Sequence, residues 1–146
     1  MSLSFRPFSD ADLAGYQSWF DDPEVARRMA YPSPEWLDYI KTPDVGCFVA
    51  AEGNEKSAAV LQMDIDPGGC GHLSLVVHPD LRHAGVGARV LTAFVMGPGQ
   101  QVKEICACID PDNAASLALA RSAGFVIENA CDQDGLVAVI RRAVAA

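Results

Sequence analysis

Apolar positions along this chain alternate over short runs, shift to helical spacing, and return to alternation more than once. The opening "LSFRP" (residues 3–7) reads as a short strand ended by Pro7, and Ser9 or Asp10 stands where a helix over "LAGYQSWF" needs its cap. "DDPEVARRM" and "SPEWLDYI" each carry a proline just inside a helix start, so a short helical pair is expected after the first strand. "VGCFVAA" (45–51) and "SAAVLQMDI" (57–65) flank the turn-forming "EGNEK" and predict an antiparallel hairpin. "HLSLVVH" (72–78) is the next strand, fed by "DPGGCG".

From Val86, apolar residues at 86, 90, 91, 94 and 95 keep helical spacing to Met96, where "GPGQ" stops them. "VKEICACI" (102–109) is a buried strand by its β-branched and cysteine content. "DPDNAASLALARSAGF" is a helix opened by Asp112 or Asn113 and closed by Gly124, and "FVIENA" and "GLVAVIRR" supply the last two strands. With no repeat and no linker visible, residues 1–146 read as a single mixed α/β domain.

Composition narrows what such a domain meets. Half the residues are apolar, enough for a substantial core, and no apolar run approaches the roughly 18 residues of a membrane span. A soluble, cytoplasmic protein is expected. The formal charge of -8 disfavours nucleic acid and anionic lipid, and suits a cationic small molecule or basic peptide. Five cysteines, odd in number and set mostly in apolar segments, are expected to be reduced thiols.

The junction "LVVHPDLRHAGVGARVL" (75–91) carries the candidate chemistry. Gly85 and Gly87 let the backbone approach a ligand, and the first turn of the following helix leaves its N–H groups unpaired. That arrangement suits phosphate or pyrophosphate, with the helix dipole and Arg82 adding positive potential. A tight strand-to-helix turn with glycines for packing alone is the competing reading. A dinucleotide fingerprint would need a third small residue where Val90 stands, and a P-loop would need the lysine and hydroxyl residue that do not follow these glycines.

"RHAGVG" after "VVHPDL", together with "NAASLALARSAGF" later in the chain, resembles the GNAT family of N-acetyltransferases, whose acetyl-CoA signature is (R/Q)xxGx(G/A) after a strand. The element order fits over about residues 3–142. The resemblance implies a mostly antiparallel sheet with a splayed central strand pair, flanked by helices, and a reaction that moves the acetyl group of acetyl-CoA to a primary amine. It places the pantetheine arm along backbone at Leu75, Val76 and Val77, with a donor near Val77 aimed at the acetyl carbonyl. It places the pyrophosphate on Arg82, His83, Ala84, Gly85, Val86, Gly87 and Ala88, and sets Asn113 and Ser116 beside the arm.

Attack by an amine with a pKa of about 10 requires loss of a proton. Many relatives use a carboxylate near the start of the fourth strand. Here that region reads "GHLSL", so His72 is the candidate base, with Ser74 on the same strand face and Asp64 and Asp66 as alternatives. His78 and His83 are assigned to the loop. Many relatives also carry a tyrosine acid where this chain has Ala120. "CAC" (106, 108) and "CGH" (70–72) form no CxxC pair and are read as core residues, so no metal is expected.

Trp19, Phe20, Trp36 and Tyr39 are read as core with a share in the acceptor pocket. The acceptor is expected to be amine-bearing and cationic, and the C-terminal strands could pair in a homodimer. The alternatives in other classes are a catalytically weak CoA-binding regulatory module and a nucleotide-dependent oxidoreductase.

Overall fold

The computed structural model describes residues 3–53, 56–82, 84–130 and 136–142. Its seven strands are β1 (Leu3–Pro7), β2 (Val45–Glu52), β3 (Lys56–Ile65), β4 (Cys70–Val77), β5 (Glu104–Ile109), β6 (Val126–Ala130) and β7 (Val137–Arg142). They form one sheet in the order β1-β2-β3-β4-β5-β7-β6. Every neighbouring pair is antiparallel except β4 with β5, which are parallel. The expected mixed α+β fold with a mostly antiparallel sheet is therefore the fold observed.

Among the described residues five α-helices flank the sheet: α1 (Leu13–Ser18), α2 (Pro23–Arg28), α3 (Pro34–Tyr39), α4 (Val86–Met96) and α5 (Ala114–Ser122). Three short helices, rather than a pair, separate β1 from β2. The break after α1 follows from Asp22, whose carboxylate accepts from the amides of Glu24 and Val25 and starts α2 anew behind Pro23. Ser33 caps α3 in the same way, through the amide of Trp36. Ser9 precedes a short 3-10 turn over Asp10–Asp12 that leads into α1, held by the Arg6–Asp12 pair at 2.7 Å.

Strand alternation sorts the core into two layers. Leu61, Met63 and Leu73 point to the side covered by α4 and α5, where they meet Val90, Leu91, Phe94 and Ala120. Cys47, Val49, Val60 and Val76 point to the other side, against Tyr16, Trp19, Phe20, Val25 and Ile40. β3 lies inside the sheet with α-helices over both faces, which is why "AAVL" (58–61) is a continuous apolar run, buried throughout. Among the described residues no helix is long and apolar enough to cross a membrane.

Candidate active site

β4 and β5 share three rungs, Cys70 with Glu104, Gly71 with Ile105 and His72 with Cys106, and then separate. Beyond His72, the β5-facing edge of β4 has no strand partner among the described residues. A cleft of about 890 Å³ fills the gap. Ser74, Leu75, Val76 and Val77 line one wall and Ala107 and Ile109 the other, while Gly85, Val86, Gly87 and Ala88 lie at the start of α4. Arg82, Asn113 and Ser116 also face it, so most of the cofactor-binding residues expected from sequence converge on one opening. Ala84 sits in the loop outside the lining, and His83 lies outside the described residues.

Gly85 adopts φ +74°, a left-handed conformation that side-chain-bearing residues rarely take. Gly87 serves close packing: a Cβ there would stand 3.3 Å from Leu119 and 3.4 Å from Val77. Together they bring the first turn of α4 against the end of β4 with its amides directed outward. Val90 is fully buried against the sheet. Asn113, rather than Asp112, is the cap of α5, its Oδ1 accepting from the Ser116 amide at 3.2 Å. Gly124, at φ +89°, follows the helix end as predicted.

Two arginines tie the helical cover to the cleft. Arg82 donates to Asp22, and this bond holds the Asp22 carboxyl below its ordinary range. Arg28 bridges from α2 to Asp110 at 2.7 Å and Asp112 at 2.8 Å, on the loop between β5 and α5. Sequence reading passed over Arg28, because nothing local to it announces partners more than eighty positions away. Ala120 is buried in the cleft wall and supplies no hydroxyl there. His78 accepts from the Asp80 amide at 3.0 Å and its ring lies 4.9 Å from that of Trp19, which makes it part of the turn.

The helix-covered face of the sheet around His72 is polar. Trp36 Nε1 donates to Gln62 at 2.8 Å, Gln62 Nε2 donates to Asp64 at 2.8 Å, and Tyr39 donates its hydroxyl to Asp64 at 2.5 Å. That last bond holds the Tyr39 phenol above its ordinary range. His72 is half-exposed and does not line the cleft. Its Nε2 lies 3.0 Å from Asp66 and its Nδ1 3.2 Å from the Cys106 sulfur, so both ring nitrogens have partners. The Asp66 carboxyl is lowered by His72 first and by the Cys70 amide second.

Cys70 completes this group, its sulfur 3.2 Å from that of Cys106. Burial pushes the Cys70 thiol up to about 12 and the Cys106 thiol in the same direction. "CGH" and "CAC", which form no motif along the chain, thus become a single cluster, because the β4–β5 register sets His72 opposite Cys106. Cys47, Cys70 and Cys106 are free, whereas Cys108 is disulfide-bonded, which corrects the expectation of reduced thiols throughout. A cystine depends on which strands and loops meet, and spacing along the chain carries no record of that.

The chain is similar to known acetyltransferases over nearly its whole length. It is 27% identical over 142 residues to an uncharacterized N-acetyltransferase, YfmK, of Bacillus subtilis (strain 168), covering 94% of this chain and 95% of that protein. Among solved structures it resembles the aminoglycoside acetyltransferase AAC(6')-Ib in complex with coenzyme A and kanamycin, with a TM-score of 0.78 at 16% identity, covering 97% of this chain and 95% of that one. A spermidine N-acetyltransferase SpeG chimera from Vibrio cholerae and hSSAT matches with a TM-score of 0.78 at 13% identity, covering 97% and 96%. The family model for the acetyltransferase (GNAT) family matches residues 13–125, and with the parted strands and the glycine-opened helix already in view, the chain belongs to the GNAT family of acetyltransferases.

Proposed function

We propose that this chain transfers the acetyl group of acetyl-CoA to a primary amine on a small cationic molecule or peptide. The observation that carries the reading is the parting of β4 from β5 over a cleft that ends at the N-terminus of α4. These residues fit the cosubstrate. Beyond His72 the β4 edge, without a strand partner among the described residues, can hydrogen-bond an extended amide chain, and the first-turn amides of α4 beside Gly85 and Gly87 can cradle an anion. Acetyl-CoA supplies the activated thioester.

The protein's own groups then have separable tasks. Leu75, Val76 and Val77 hold the arm through backbone, with an amide near Val77 as the donor for the carbonyl oxygen. Gly85, Val86, Gly87 and Ala88 hold the pyrophosphate, and Arg82 joins them by exchanging its bond to Asp22 for phosphate oxygens. Ser74 is the hydroxyl of β4 that lines the cleft, and it holds the amine or a water at the thioester. Asp64 and Asp66, with the overall charge of -8, draw an ammonium toward this face.

His72 can take the amine proton when its ring turns away from Cys106 and Asp66; held as it is, the proton leaves to water. Kanamycin, bound in the similar aminoglycoside acetyltransferase, and spermidine, for which the similar chimera is named, are both polyamines, which supports a cationic acceptor.

Calorimetric titration with acetyl-CoA and CoA, followed by thiol release across polyamines, aminoglycosides and peptides, tests the reading. Amine-dependent thiol release is expected. A CoA-binding regulatory module is the second reading, favoured by the missing hydroxyl at Ala120. Binding without release on every amine would select it, and absence of CoA binding would refute both.

A further inference from the structure

We propose that Cys70, His72 and Cys106 bind a divalent metal ion of the zinc class, through two thiolates and the Nδ1 of His72, with the fourth coordination position open to solvent. The inference does not require the cleft to be filled, but it shares His72 with the proposed acetyl transfer: an ion on Nδ1 with Asp66 on Nε2 leaves that ring no free nitrogen for the amine proton. It begins with donor type. Two sulfurs and an imidazole are the ligand set that selects zinc over magnesium or calcium, which prefer oxygen.

Geometry supplies the second step. The two sulfurs are 3.2 Å apart, the Cys106 sulfur is 3.2 Å from His72 Nδ1, and all three donor atoms lie within 4.8 Å of one another. Tetrahedral zinc sets such donors about 3.5–3.8 Å apart, so small outward shifts of the side chains admit the ion. The donors also stand on rigid elements. Cys70 and His72 share one face of β4, and Cys106 lies across from His72 at the last rung before the strands part.

The third step is the support behind the imidazole. Asp66 lies 3.0 Å from Nε2, and the tautomer that donates to it turns the Nδ1 lone pair toward the sulfurs. Asp66 is itself fixed, since its Oδ1 accepts from the Cys70 amide at 3.0 Å and its backbone closes the turn onto Cys70. A carboxylate that orients a ligating histidine is the arrangement metal sites use to fix tautomer and ring. His72 is exposed enough for an ion to arrive from solvent, with 55% of its side chain accessible. Binding displaces one proton from each thiol and leaves the imidazole neutral.

The full chain, reduced with a phosphine and stripped by a chelator, is titrated with cobalt(II) as the probe. One equivalent should produce the thiolate-to-cobalt charge-transfer band and the visible bands of tetrahedral cobalt, and zinc should abolish them. Cys70→Ser and Cys106→Ser should each lose the charge-transfer intensity, Cys47→Ala should keep it, and Asp66→Asn should weaken affinity about 10–100-fold. Should a serine variant fail to fold by circular dichroism, alkylation of the wild-type chain decides: zinc should slow modification of Cys70 and Cys106. Absence of the cobalt bands in the reduced wild type, their persistence in both folded serine variants, or alkylation unaffected by zinc would overturn the proposal.

Discussion

The pair β4 and β5 behaves as two different structures along its length. In its first three rungs it is an ordinary parallel ladder, closed by backbone hydrogen bonds and flanked by thiols and an imidazole. Beyond His72 it opens into a cleft lined by Leu75, Val76 and Val77 on one side and Ala107 and Ile109 on the other. Glycine serves both halves for opposite ends. A Cβ on Gly71 would fall 2.6 Å from the Met63 sulfur and overpack the core behind the closed half, whereas Gly87 keeps α4 close to Val77 and Leu119 at the far end of the open half. A strand pair that is pinned at one end and parted at the other provides a rigid frame for a binding slot.

The largest test asks whether the last closed rung takes part in the chemistry of the open half. If His72 stays with Cys106 and Asp66, kcat/KM should rise about tenfold per pH unit toward the amine's own pKa of about 10. A plateau reached well below the amine's pKa, and lost in His72→Gln, would instead make His72 the base. Steady-state rates between about pH 6 and pH 9 separate the two, because a continued rise and a plateau diverge below the amine's pKa of about 10.

Next in size is the open end. Gly85→Val forces a β-branched residue into φ +74°, at a cost of about 1–3 kcal/mol. If the loop relieves that strain by moving, acetyl-CoA affinity should fall about 10–100-fold by calorimetry. Unchanged affinity would mean that the anion cradle lies elsewhere.

At the closed end, Gly71→Ala overpacks the space around Met63, which is fully buried, and should lower unfolding free energy by about 1–3 kcal/mol in urea titrations. The smallest effect belongs to the clamp. Arg28→Ala removes the bridge from α2 to Asp110 and Asp112, carboxylates that solvent reaches in part, and should leave stability little changed. Its signature is a rise of up to about fivefold in the acetyl-CoA dissociation constant, with the thermal midpoint little changed.

What the sequence by itself determined was local. The proline and serine starts of the early helices, the β2–β3 hairpin, the glycine turns and a cap at Asp112 or Asn113 all follow from backbone preferences that act within a few residues. "RHAGVG" announced the glycine turn that opens α4 because the device is itself a local stretch of backbone.

Tertiary structure alone decided which distant side chains meet. It joined Arg28 to the β5–α5 loop, engaged both nitrogens of His72, bonded Cys108 into a disulfide, and gathered Cys70, His72 and Cys106 on one face of the β4–β5 ladder. The physical reason is register. Alternation along β4 fixes which face His72 occupies, but only the pairing with β5 fixes what stands opposite, and a shift of one residue there would put Cys106 on the other face.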